Sequence, residues 1–329
     1  MDAQSEIPVP RLAITRLRVA LQATRAVQLP AYQGSTWRGV FGHLLKRTVC
    51  VTRVPHCKDC QLYHRCAHAA IFETPVTETA QKMRRYTHAP HPYVFELPWR
   101  SATTLAAGES IEFGLTLVGY AQQYFPYIVA ALQAIERQPV GKGRAGRVRL
   151  LALRYESTPG AGDWQPCWQA GGETCERPSP HPAEIPEAPD SPVTLRFHTP
   201  LRLNAEGKLV NADSLQFHHL FRNVLRRVSM LSYFHGDQPY ETDFARLCKA
   251  SHEVACRQRE LRWQDWARFS NRQREKIKMG GLRGQITLER LPRQFWPVLW
   301  LGQWLHAGKG ASMGLGRYSL QPASLPANH

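Results

Sequence analysis

The chain has 329 residues, 43% of them hydrophobic, and a formal net charge of +16 from 42 Lys+Arg against 26 Asp+Glu. That is enough for one large or two ordinary domains with packed cores, and no apolar run reaches the roughly 18–20 residues of a membrane span. Eight cysteines at this length exclude a disulfide-dense scaffold, and the charge favours a polyanion over a small neutral substrate as partner.

The opening "MDAQSEIPVP" has neither a basic stretch nor an apolar core, so a cytoplasmic, reducing location is expected. "LAITRLRVAL" (12–21) then alternates leucine and valine with arginine, as a half-buried strand does. A helix is predicted from Thr36 to about Thr48, with Trp37, Val40, Phe41, Leu44 and Thr48 on one face. Gly39, Gly42, His43 and Lys46 fall on another face, and each glycine costs about 1 kcal/mol relative to alanine in a helix. Their missing side chains suggest close approach of a ligand beside His43.

The loop "CVTRVPHCKDCQLYHRC" places Cys50, Cys57, Cys60 and Cys66 within 17 residues. That spacing suits one tetrahedral ion, zinc being preferred and an iron–sulfur cluster the alternative. Free thiols in a metal-free loop are the third reading. His56, His64 and His68 are substitutes should one cysteine point away, and four thiolates leave no open position for metal catalysis. "SIEFGLTLVG" (110–119) is a second strand, and the apolar helix 122–138 runs into Gly141-Lys142-Gly143 and the strand "RVRLLALRYE".

Residues 157–192 hold eight of the 24 prolines, six acids and one arginine, and are predicted to form a linker or loop. The remainder of the chain then carries +21. The same order of elements follows: strand 193–198, long helix 214–234, strand 281–290, and an apolar helix 294–306 ending at Gly308-Lys309-Gly310. Two tandem βαββαβ units are therefore expected, ferredoxin-like and RRM-like. They span residues 1–156, with the cysteine-rich insertion at 50–66, and 193–329, with the glycine-rich loop at 308–316.

The segments "LPAYQGSTWRGVFGHLLK", the cysteine loop with "IFE" after it, "RFSNRQREKIKMGGLRGQITL" and the terminal "GKGASMGLGRYSL" resemble CRISPR-associated endoribonucleases of the RAMP superfamily, which process precursor crRNA. The resemblance implies two ferredoxin-like domains and a glycine-rich loop contacting RNA. It also implies a single cut of CRISPR repeat RNA without a metal cofactor, leaving 2′,3′-cyclic phosphate and 5′-hydroxyl ends. The partners implied are pre-crRNA, crRNA and other CRISPR-associated proteins, with no membrane. His43 matches the catalytic histidine that such proteins carry on the first helix.

The residue chemistry is compatible with that cut, because an imidazole near pKa 6.5 can take or give a proton. Lys46 is the expected electrostatic stabiliser, and Tyr32 is either a positioning residue or loop packing. His219 is the competing base, on a helix whose Arg222 and Arg226 face away from its apolar stripe. Arg268, Arg272 and Lys276 are expected RNA contacts, since cations neutralise phosphates and planar groups stack on bases. Gly308, Lys309, Gly310, Gly314, Gly316 and Arg317 complete the expected RNA-binding set, the glycines by letting backbone N–H groups approach a phosphate. A non-cleaving RNA-binding subunit of the same fold, or a zinc-bearing regulator, are the alternatives.

Overall fold

A computed structural model describes residues 7–76, 89–99, 103–172, 175–179, 181–270 and 275–323. The chain forms two compact units, one of residues 12–183 with 230–238, the other of 1–11, 184–229 and 239–329.

The first unit begins with β1 (Ile14–Arg25) and β2 (Val27–Leu29), then α1 (Gly34–Val49), β3 (Tyr93–Glu96), β4 (Thr103–Leu105) and β5 (Ser110–Val118). Next come α2 (Phe125–Gln133), β6 (Arg147–Glu156) and β7 (Trp164–Gln169). Its main sheet is antiparallel in the order β3-β5-β1-β6-β7, with β2 and β4 paired apart from it. Alternation sets the faces: Leu17, Val19 and Leu21 of β1 are at most 1% exposed and meet Trp37, Phe41, Leu44 and Leu45 of α1 in one core. The predicted helix 122–138 is split, because Pro126 pre-sets the first turn of α2 and 3₁₀ turns flank it on both sides.

Residues 157–192 are not linker throughout, since 164–169 join the first sheet as β7. Cys167 is buried there, and Pro166 together with the scarcity of branched residues hid the strand from a periodicity reading. Glu156 accepts from the N–H groups of Gly160 (3.0 Å) and Gly162 (2.8 Å), which orders the turn into β7. The same carboxylate pairs with buried Arg16, which also bonds Glu96 at 2.9 and 3.0 Å.

The second unit runs β8 (Val193–Leu201), β9 (Asn204–Ala205), β10 (Lys208–Leu209), α3 (Phe217–His235, of which 230–235 are counted with the first unit) and α4 (Phe244–Ala250). Then follow β11 (Cys256–Gln264), β12 (Ala267–Ser270), β13 (Glu275–Lys278), β14 (Gly281–Leu288), α5 (Trp296–Leu305) and β15 (Tyr318–Pro322). Its sheet is antiparallel in the order β11-β14-β8-β15, while β9–β10 and β12–β13 are two-stranded hairpins. Val193, Leu195 and Phe197 point into the core, and Arg196 and His198 alternate outward. No helix among the described residues is long and apolar enough to cross a membrane.

Candidate nucleic-acid interface and catalytic helix

Helix α1 buries Trp37, Phe41, Leu44 and Leu45, leaving Gly39, His43 and Arg47 exposed at successive i,i+4 positions. His43 feels two cations: partial burial, then the charges of Arg47 and of Arg144, hold its imidazole below the ordinary 6.5. Arg144 comes from the first Gly-Lys-Gly turn, where Gly141 (φ 80°), Gly143 (φ 66°) and Arg144 itself (φ 54°) adopt left-handed backbone. A Cβ on Gly141 would lie 2.6 Å from the Gln28 carbonyl oxygen, so this corner needs glycine for packing against β2. A neutral imidazole flanked by two guanidinium groups can accept a proton while the guanidiniums meet a phosphate.

The two helix glycines differ in purpose. A Cβ on Gly39 meets nothing within 4 Å, whereas on Gly42 it would lie 2.6 Å from the Phe72 ring. Gly42 therefore makes room for a core aromatic, not for a ligand. Lys46 does not turn toward His43; its Nζ donates to the Pro55 carbonyl at 3.2 Å, against the cysteine loop. Tyr32 is 3% exposed, with its ring centroid 5.1 Å from that of Trp99, as the packing alternative expects.

In the second unit, one face of the sheet is cationic. Arg196, Arg259, Arg262 and Arg283 line a recess of about 460 Å³, with Glu260 and Gln285. Arg262 stands directly opposite Arg283 in the β11–β14 register, a like-charge pairing that costs stability. Burial, then Arg262 and Arg196, lowers the Arg283 pKa. His198 is pushed down to about 4 by burial and by Arg317, Arg196 and Arg283, and its Nε2 meets the Ser319 hydroxyl at 2.8 Å. Such an accumulation, with Glu260 the one acid lining the recess, fits a polyanion.

Two comparisons with known families bear on this surface. Residues 12–181 match the AF_1859_N family, an N-terminal domain, and residues 195–318 match the CRISPR-associated endoribonuclease Cas6. The chain belongs to the AF_1859_N family through its N-terminal domain, and its residues 195–318 are similar to the Cas6 endoribonucleases.

An uncharacterized protein of Archaeoglobus fulgidus is 29% identical over 142 residues, 43% of this chain and 46% of that protein. The chain thus spans about half the length of the curated relative it matches. Among solved structures, 98% of the chain overlays 48% of a chain in a partial Cas6-RT-Cas1–Cas2 complex, with TM-score 0.56 and 13% identity. Thermus thermophilus Cas6 overlays 94% of the chain and 99% of its own, with TM-score 0.51 and 14% identity. Its product complex gives 0.55 and 16%, covering 94% of this chain and 100% of that one. These likenesses establish a mixed α/β fold with antiparallel sheets.

The glycine-rich loop lies inside the Cas6-matched segment, and its geometry departs from the expected phosphate cradle. Its amides are largely spent within the protein. Gly308 N–H donates to Asn223 Oδ1 (2.7 Å), Lys309 N–H to the Arg202 carbonyl (2.9 Å), and Gly316 N–H to the Pro200 carbonyl (3.0 Å). Gly314 and Gly316 are buried, and Thr199 Oγ1 bridges the Gly314 carbonyl (2.8 Å) and the Arg317 N–H (2.9 Å). Gly308, Gly310, Gly314 and Gly316 all have positive φ, and a Cβ on Gly316 would lie 1.7 Å from the Ala307 carbonyl oxygen. The glycines build the corner; Lys309 is exposed and Arg317 half-exposed beside it.

Of the other Cas6-segment positions, Arg222 and Arg226 are exposed on α3. Their neighbour His218 stacks on His252 with ring centroids 3.8 Å apart and is pushed to about 4, while His219 Nδ1 accepts from the Gln216 N–H at 3.1 Å. Arg268 and Lys276 lie on the β12–β13 hairpin, where Arg268 pairs with Ile277 and Lys276 with Phe269. Arg272 lies outside the described residues. Arg47, Arg144 and the sheet arginines escaped the sequence reading. The first two sit on different elements, and the others alternate along strands that look merely polar.

Proposed function

We propose that this chain is an endoribonuclease that cuts CRISPR repeat RNA by 2′-hydroxyl attack, leaving 2′,3′-cyclic phosphate and 5′-hydroxyl ends without a metal in the chemistry. The observation that carries it is exposed His43, held neutral at pH 7 between Arg47 and Arg144. His43 removes the 2′-proton, and the two guanidiniums neutralise the charge that develops on the phosphate. Lys309, Arg317, the sheet arginines and the cations of α3 and of the β12–β13 hairpin hold the RNA backbone. Each unit is taken as a ferredoxin-like fold, supported by the shared strand order in which the second of four strands is outermost and the first lies between third and fourth. The match of residues 195–318 to the Cas6 endoribonuclease family supports the substrate, and the product complex of Thermus thermophilus Cas6 supports the reaction class. Other CRISPR-associated proteins are proposed as further partners, in keeping with the Cas6-RT-Cas1–Cas2 likeness.

The test is cleavage of the cognate repeat RNA by His43→Ala. A loss of about 100- to 10,000-fold in rate is expected, the usual range for a general acid or base, with binding nearly unchanged. Unaltered cleavage would transfer the role to His219. Cutting of a substrate with 2′-deoxyribose at the scissile position would overturn the mechanism, and tight binding without any cut by the wild type would make this a non-cleaving subunit.

A further inference from the structure

The cysteine loop does not close into the expected tetrad. Cys50, Cys57, Cys60, Cys66 and His68 line one small cavity, but their donors are not equivalent. Cys50 ends α1, its N–H bonded to the Lys46 carbonyl, and Cys60 Sγ lies 3.2 Å from Thr52 Oγ1. Among the described residues, the group of possible donors drawn together is Cys57 Sγ, a ring nitrogen of His68 and a Glu73 carboxylate oxygen, all within 4.8 Å of one another. Cys57 Sγ is 3.6 Å from His68 Nδ1. Cys66 lines the same cavity two residues before His68, and its carbonyl accepts the Ala70 N–H at 2.8 Å, so it opens the turn that carries His68.

We infer that the protein holds one zinc ion on Cys57, Cys66, His68 and Glu73. The chemistry fits the ion: two thiolates, a neutral imidazole and a carboxylate make a four-coordinate N/O/S set. Binding releases the two thiol protons to solvent. His68 is 7% exposed and stacks on Phe72 with ring centroids 5.4 Å apart and planes 2° from parallel. That contact orients the ring before the metal arrives. Phe72 is also the ring that lies under Gly42, one residue from His43. The ion therefore ties an otherwise polar loop to the base of α1, and its role is structural. With four protein ligands it has no open position for chemistry.

The experiment uses the whole chain, grown with zinc and stripped of loose metal. Metal analysis is expected to find about one zinc per chain, and X-ray absorption at the zinc edge to find two sulfur and two nitrogen or oxygen neighbours near 2.3 Å and 2.0–2.2 Å. Cys57→Ser, Cys66→Ser and His68→Gln should each bind zinc at least tenfold more weakly and melt at lower temperature. Cys50→Ser and Cys60→Ser should keep both metal and stability. Four sulfur neighbours, or equal loss in Cys50→Ser and Cys60→Ser, would restore the tetrad and overturn the mixed site. Absence of metal from the folded wild type would overturn any site. Neither readout involves RNA cleavage, so it stands apart from the fate of His43.

Discussion

Histidine 43 derives its chemistry from what surrounds it. Partial burial and then two cations lower its pKa below 6.5, so the proton-accepting form is the resting form at neutral pH. For a general base the sign follows directly: activity is present above the folded pKa and lost as pH falls through it. The kcat/KM of the free enzyme should therefore be level above pH 6.5 and decline on acidification with a midpoint below that value. Replacing Arg144 by Gln should move that midpoint upward and slow cleavage, because one repulsive charge and one phosphate contact disappear together; an unmoved midpoint would detach Arg144 from the site. The helix glycines supply a second check. Gly39→Ala, in open space, should stabilise the fold by about 0.5–1 kcal/mol while weakening RNA binding if the backbone closes there. Gly42→Ala should destabilise by about 1–3 kcal/mol, since its Cβ runs into Phe72. Thermal denaturation of the two variants separates them.

At the scale of elements, β1, β5, β6, β8, β14 and both Gly-Lys-Gly corners were legible in the sequence because alternation and glycine punctuation mark half-buried strands and their turns. β11 was not. Its nine residues are almost all exposed or partly so, and an edge strand carrying Arg257, Arg259 and Arg262 has no apolar period to detect. The duplicated glycine corner was found, but spacing shows only where the backbone turns, not where its amides point. Positive φ and contacts below 3 Å give the answer. Gly316→Ala is accordingly expected to destabilise the second unit by more than 1 kcal/mol through strain, seen as a lower midpoint in urea. Lys309→Ala should leave that midpoint in place and weaken RNA affinity. If Gly316→Ala kept full stability but lost RNA, the loop would be a phosphate cradle after all.

For the whole molecule, charge distribution says more than charge sum. Six acids against one arginine lie in 157–192, leaving +21 on the rest, and the arginines are set close enough to oppose one another. Arg262 faces Arg283 across the ladder with Arg196 on the adjoining strand. Like charges opposed in this way favour an anionic partner. Log affinity for repeat RNA should fall linearly with log salt, each neutralised phosphate on a single strand contributing about 0.7 to the slope. Replacing Arg196, Arg262 and Arg283 together by alanine should lower the slope by roughly 2. The triple variant should also be no less stable than the wild type, because like-charge repulsion is removed with the cations. An unchanged salt slope in a folded triple variant would mean that RNA does not lie on this face, and the binding surface would then have to be sought on the exposed side of α3, around Arg222 and Arg226.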